Sequence, residues 1–188
     1  MNKIGTLLIT IGITLILSSL YIIINNHYKD INALKESQNV LTLMEEVSNK
    51  KDNENNKSEL ININGYDYIG TIIIPTLNLE LPVMSNFDYE RLNIAPCVYY
   101  GSLSTNDLII CGHSYKSHFK YLDNLNKNDR IVLTDAKGEN HIYKVEVIEV
   151  LSPTDIEEMI NNEFDLTLYT CTEDGLNRIT VRCNRVYG

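Results

Sequence analysis

The hydrophobic positions divide the chain into three stretches of different periodicity. Residues 4–24 carry no charged side chain and are dominated by Ile and Leu, diluted by Gly5, Gly12, Thr and the Ser18-Ser19 pair. As a helix, this run would rise about 31 Å, enough to cross a hydrocarbon core. It is longer than the apolar core of a cleaved signal peptide and lacks a small-x-small cleavage site, so an uncleaved anchor is expected. Residues 25–64 are crowded with Asn, Lys and Glu. Ile31, Leu34, Leu41, Met44 and Val47 recur there at helical spacing, which predicts an amphipathic helix over residues 29–48. That helix reads as a spacer, with packing of its stripe on the domain as the alternative. A solvated linker follows over residues 48–58.

Beyond residue 64 the pattern shortens to runs of strand length. Strands are expected at residues 68–74, 79–84, 97–100, 107–111, 130–134, 141–151, 165–171 and 177–186. Pro82 marks an edge or bulge. The turn 135–139, containing Gly138, joins two of the strands. Short helical turns fit residues 88–92 and 119–125. A short helix fits residues 154–162, with Thr154 as N-cap and Glu157 completing a capping box. Many short strands without intervening helices predict a mainly β, antiparallel sandwich or closed barrel. The resulting division is an anchor over 1–27, a polar, partly helical stem over 28–64 and a folded domain over 65–188.

Charge changes this picture little. A formal net charge of −9 argues against nucleic acid as a partner, because phosphate binding needs a basic face. Lys3 before the apolar run favours a cytoplasmic N-terminus, with the domain outside the membrane.

The candidate chemistry lies in the last hairpin. Leu166 and Leu168 alternate with Thr167 and Tyr169, giving one buried face up to Cys171. Asp174-Gly175 signals a turn, and Ile179, Val181 and Cys183 alternate with Arg178, Thr180 and Arg182 on the way back. Such a hairpin can oppose Cys171 and Arg178, and a nearby guanidinium favours a thiolate. His113 follows the buried run ending at Cys111-Gly112, where a loop can present it. Together these supply a nucleophile, an acid–base and a cation for an oxyanion. His118 and Arg182 are the rivals. His118 lacks the preceding strand end, and Arg182 and Arg185 read as solvated or ion-paired. Cys111 and Cys183 read as core, Cys97 is undecided, and Cys171 is expected to stay unpaired. Zinc on Cys111, His113, Cys171 and Cys183 lacks the usual ligand spacing. Tyr99, Tyr100 and Tyr115 read as packing residues, with a peptide groove as the alternative. No cofactor or metal is expected.

These residues resemble the sortases, the membrane-anchored cysteine transpeptidases of Gram-positive bacteria. The resemblance rests on Tyr68-Ile-Gly-Thr-Ile-Ile-Ile-Pro75 with the later Leu81-Pro-Val, then Gly112-His113, Thr167-Leu-Tyr-Thr-Cys171 and Arg178, in the family's order. It implies an eight-stranded closed β-barrel, with Cys171, His113 and Arg178 as catalytic residues. Cys171 would attack the Thr–Gly bond of a Leu-Pro-x-Thr-Gly-like sorting signal. His113 would protonate the leaving amine, and Arg178 would stabilise the oxyanion. The implied partners are sorting-signal-bearing surface proteins or pilins, and an amine acceptor such as a peptidoglycan precursor. A short connection over residues 152–164 and no obvious N-terminal lid place the chain nearest to the compact classes A and D. A cysteine peptidase releasing its product to water and a non-catalytic surface-binding barrel stay open.

Overall fold

The computed structural model describes residues 3–51, 59–161 and 163–187. Helix α1 (Lys3–Lys51) is unbroken, so the apolar run and the amphipathic stretch form one rod. Its apolar part contains no buried residue and is long and apolar enough to cross a membrane. Its second half does not stand free as a spacer. Ala33, Ser37, Val40 and Met44 are buried against the domain, while Leu34 is exposed. The buried stripe is therefore rotated from the expected one and contains a hydroxyl. Burying Val40 and Met44 contributes about 1.5–3 kcal/mol each.

A short strand β1 (Ile61–Ile63) comes next, within the stretch read as stem. Asn64 and Gly65 turn it into β2 (Tyr66–Ile74), both with positive φ, the backbone a two-residue hairpin requires. The chain continues through β3 (Leu79–Met84), β4 (Cys97–Tyr100), β5 (Leu108–Cys111), β6 (Arg130–Asp135) and β7 (Asn140–Leu151). A one-turn helix α2 (Ile156–Ile160) precedes β8 (Leu166–Cys171) and β9 (Arg178–Arg185). The expected capping box is absent. The N-cap is Asp155, whose carboxylate accepts from the Ser152 amide at 2.9 Å.

The strands close into an eight-membered ring in the order β2-β3-β4-β5-β8-β9-β7-β6, with β6 pairing back onto β2. Closure brings the β2 backbone very close to β6 at Gly70. A Cβ there would lie 1.9 Å from the Thr134 carbonyl oxygen, so only glycine fits. Pro82 pairs with Thr71 of β2, while the only β3 residue registered with β4 is Met84, so Pro82 lies at an opening in the wall. Leu108, Ile110, Leu166, Leu168, Val181 and Cys183 fill the interior with Ile72, Leu133 and Phe119.

Two ring contacts are parallel, β3–β4 and β5–β8. The second one matters for the site, because it places the C-terminal ends of β5 and β8 side by side. A second apolar cluster lies outside the wall, from Val40 and Met44 through Met84, Ala95, Cys97, Ile109 and Cys111 to Tyr169 and Met159. The outer face of β8 is therefore also covered. Thr167 and Tyr169 are buried too, contrary to the single buried face expected from the alternation.

Candidate functional site

Cys171 ends β8 and Arg178 begins β9, and the two are direct cross-strand partners. Such partners project to the same face with Cβ atoms about 5 Å apart. The turn between them is locked internally. The Thr172 amide donates to the Asn177 carbonyl at 3.0 Å, the Gly175 amide to the Thr172 carbonyl at 2.9 Å, and the Leu176 amide to Asp174 Oδ1 at 3.0 Å. The Thr172 amide is thus committed to the turn. The Arg178 guanidinium donates one bond from Nη1, to the Asn177 carbonyl at 3.0 Å. Both Cys171 and Arg178 are half-buried.

The parallel register between β5 and β8 carries His113 toward Cys171. Cys111 aligns with Tyr169, and the Gly112 amide extends the ladder by donating to the Tyr169 carbonyl at 3.0 Å. Two residues beyond that pair lie His113 on one strand end and Cys171 on the other. A side chain at Gly112 would meet the buried Phe119 ring at 2.6 Å, so glycine lets the loop fold back beneath the histidine. The Phe119 amide closes the loop on the His113 carbonyl at 3.1 Å. Burial, and then the Lys29 ammonium of α1, lower the proton affinity of His113 below the ordinary histidine value. The imidazole is therefore neutral at neutral pH, the form that accepts a proton.

Tyr115 stacks on His113 with ring centroids 4.6 Å apart, and Tyr99 meets Tyr169 edge-on at 5.4 Å. Both tyrosines adjoin the candidate site. A surface ion pair, Lys120 to Glu173 at 2.8 Å, ties the histidine loop to the Cys171–Arg178 turn.

The rivals fall elsewhere. Arg182 is ion-paired and buried, not solvated. It donates to Glu149 at 2.8 Å, to the Glu158 and Met159 carbonyls at 2.8 and 3.1 Å, and to the Thr167 hydroxyl at 3.1 Å. It pins α2 over the outer face of β8. Cys183 points into the barrel, away from Cys111 and Cys171, so the four conceivable zinc ligands do not converge. Asp135, Glu139 and His141 converge elsewhere, on the β6–β7 hairpin. There His141 is engaged by Asp135 and Arg185, and the resident guanidinium disfavours a cation.

His118 is buried beside α1. Its Nε2 faces the Ser37 hydroxyl at 3.4 Å, and its Nδ1 has no hydrogen-bond partner among the described residues. Burial first, then the charge of His113, lower its pKa from 6.5 to about 4. The unfolded chain therefore binds this proton first as pH falls. The His118 contribution is fully present above about pH 6.5 and is lost on descent to about 4, on the order of 3 kcal/mol. Urea unfolding across that window should show the loss in the wild type and a shallower one in His118→Leu. Equal slopes would refute it.

Lys29, Asp30 and Ser37 were not legible as site neighbours. The only signal was their recurrence with Ala33 on one helical stripe.

The sortase-domain family model matches residues 72–186. Among solved structures, the chain is similar to sortase A from Corynebacterium diphtheriae, with 28% identity and a TM-score of 0.57 over 65% of this chain and 62% of that one. It thus spans less than two thirds of that protein. It is similar to sortase C1 from Streptococcus agalactiae, at 28% identity and TM-score 0.59 over 68% of this chain and 72% of that one. It is also similar to Clostridium perfringens sortase C, solved with the C-terminal cell wall sorting motif. There identity is 27% and the TM-score 0.57, over 65% of this chain and 72% of that one. No curated protein matches the chain.

Proposed function

The chain belongs to the sortase family, and from that premise we propose that it is a membrane-anchored cysteine transpeptidase. The observation that carries the reading is the placement of Cys171 opposite Arg178 on a locked hairpin, beside the strand end that presents His113.

The chemistry follows from the residues. Neutral His113 takes the Cys171 proton as sulfur attacks the Thr carbonyl carbon of a Leu-Pro-x-Thr-Gly-like signal. The carbonyl electron pair moves to oxygen, and the Arg178 guanidinium stabilises that oxyanion. Arg178 suits this task because the amide following Cys171 is spent inside the turn. The tetrahedral adduct collapses, the C–N bond breaks, and the His113 imidazolium protonates the departing Gly amine. An incoming amine, on a peptidoglycan precursor or a pilin, then attacks the thioester and gives up its proton to His113. The Cys171 thiolate leaves and is reprotonated.

The exposed apolar run of α1 supports single-pass anchoring, with the N-terminus in the cytoplasm and the barrel outside. The natural substrates would then be surface proteins or pilins bearing a sorting signal.

Incubation with a sorting-signal peptide and a graded amine acceptor, followed by mass spectrometry, tests the reading. The expected result is a Cys171-linked acyl-enzyme and an amide product that grows with acceptor concentration. Products that ignore the acceptor would make the protein a hydrolase. Equal cleavage by wild type and Cys171→Ala would overturn the assignment.

A further inference from the structure

The loop carrying His113 has no regular secondary structure between the end of β5 and the 3-10 turn Leu122–Asn124. Besides the buried Phe119, the Tyr115–Asn93 bond and the Lys120–Glu173 ion pair, α1 holds it. Asp30 lies six residues past Ile24, about 9 Å along the helix from the end of the apolar run. Its Oδ1 accepts two bonds from Ser117, one from the amide at 3.0 Å and one from the hydroxyl at 2.7 Å. Two turns on, the buried Ser37 hydroxyl donates to the Ile94 carbonyl at 2.7 Å and faces His118 Nε2 at 3.4 Å. His118 lies 5.6 Å from the Tyr115 ring, which stacks on His113. The Tyr115 hydroxyl donates to Asn93 Oδ1 at 3.1 Å, one residue before Ile94. A continuous path of packed groups thus joins Ser37 to the His113 ring, and Asp30 clamps the same loop.

We propose that this juxtamembrane face of α1 positions His113 for proton transfer, with Asp30 and Ser37 as the positioning residues. The inference rests on the reading of His113 as the acid–base. Asp30 acts as a hydrogen-bond acceptor that fixes the backbone of Ser117. Ser37 braces the aromatic stack from behind. The charged and titratable groups around this path include Lys29 and Asp30 of α1, Glu80 of β3, Tyr115, Lys116, His118, Lys120 and Tyr121 of the loop, and Glu173 of the β8–β9 turn.

The test uses the full chain in lipid nanodiscs, with a sorting-signal peptide and an amine acceptor. Asp30→Ala should lower kcat about tenfold with KM for the peptide unchanged, because a misplaced acid–base costs turnover rather than binding. Asp30→Asn keeps an acceptor oxygen and should restore most of the activity. Ser37→Ala should lower kcat in the same sense. In parallel, NMR of histidine labelled at Cε1 reports the His113 ring directly, assigned through His113→Gln. Its resonance should move in Asp30→Ala and stay in Asp30→Asn. Wild-type kcat and an unmoved resonance in Asp30→Ala would overturn the proposal, as would Asp30→Asn being as defective as alanine. If His113→Gln itself were fully active, the catalytic reading would fail, while the resonance shift would still decide whether α1 positions the ring.

Discussion

Replacing Cys171 with alanine is expected to lower acyl transfer by at least about 10⁴-fold, as loss of a nucleophile does. The chain has four cysteines, and the structure gives a reason why the other three cannot substitute. Burial pushes the Cys111 thiol up to about 11 and the Cys97 thiol up to about 12. A thiol at about 11 is ionised in roughly one molecule in 10⁴ at neutral pH. Cys183 is sealed inside the barrel, and burial raises its pKa as well. Cys171 alone is half-exposed, with a guanidinium across the hairpin. Brief iodoacetamide treatment of the native protein should therefore label Cys171 before any other cysteine, with loss of activity in step. Because Cys171 is only partly buried, the alanine variant should unfold within about 1 kcal/mol of the wild type. Labelling of Cys111 first, or more than about 1% residual transfer in Cys171→Ala, would contradict the assignment.

Replacing His113 with alanine should cost about 10²–10⁴-fold in kcat/KM, the usual worth of a positioned acid–base. The same residue should set the acidic limb of the pH–rate profile. Protonated His113 cannot accept the thiol proton, so activity falls as pH falls through its pKa. Burial and Lys29 hold that pKa below the ordinary histidine value, so the limb should lie on the acid side of 6.5. Lys29→Ala should move the limb upward by relieving the repulsion. Residual activity in His113→Ala above about a tenth of the wild type would remove it from the mechanism.

Much of this molecule was legible from local pattern. The apolar run, the strand spacing and the Asp174-Gly175 turn are local facts, and the hairpin places Cys171 against Arg178 as its spacing suggests. Alternation marked Leu166, Leu168, Val181 and Cys183 as interior, and they are. Other features were illegible for one physical reason: periodicity reports which side of a segment is apolar, not what covers it. The outer face of β8 read as uncovered because Thr167 and Tyr169 look half-polar. Arg182 and α2 cover it with bonds from residues distant in sequence. The helix stripe read as Ile31, Leu34, Leu41, Met44 and Val47; Met44 and Val47 do pack on the domain, but Asp30 and Ser37 carry no hydrophobic signal and went unread. Half-buried Asp30 and buried Ser37 are held by hydrogen bonds to Ser117 and Ile94 that only the docked helix can make.

The sequence by itself determined eight of the strands, the Cys171–Arg178 hairpin and the apolar run, because each depends on neighbours within a few residues. The tertiary structure decided that β5 runs parallel to β8, and so that His113 arrives beside Cys171. It also decided that α1 grips the histidine loop. Both outcomes depend on backbone register between segments dozens of residues apart, where pairing is settled by ring closure and core packing rather than by any local preference.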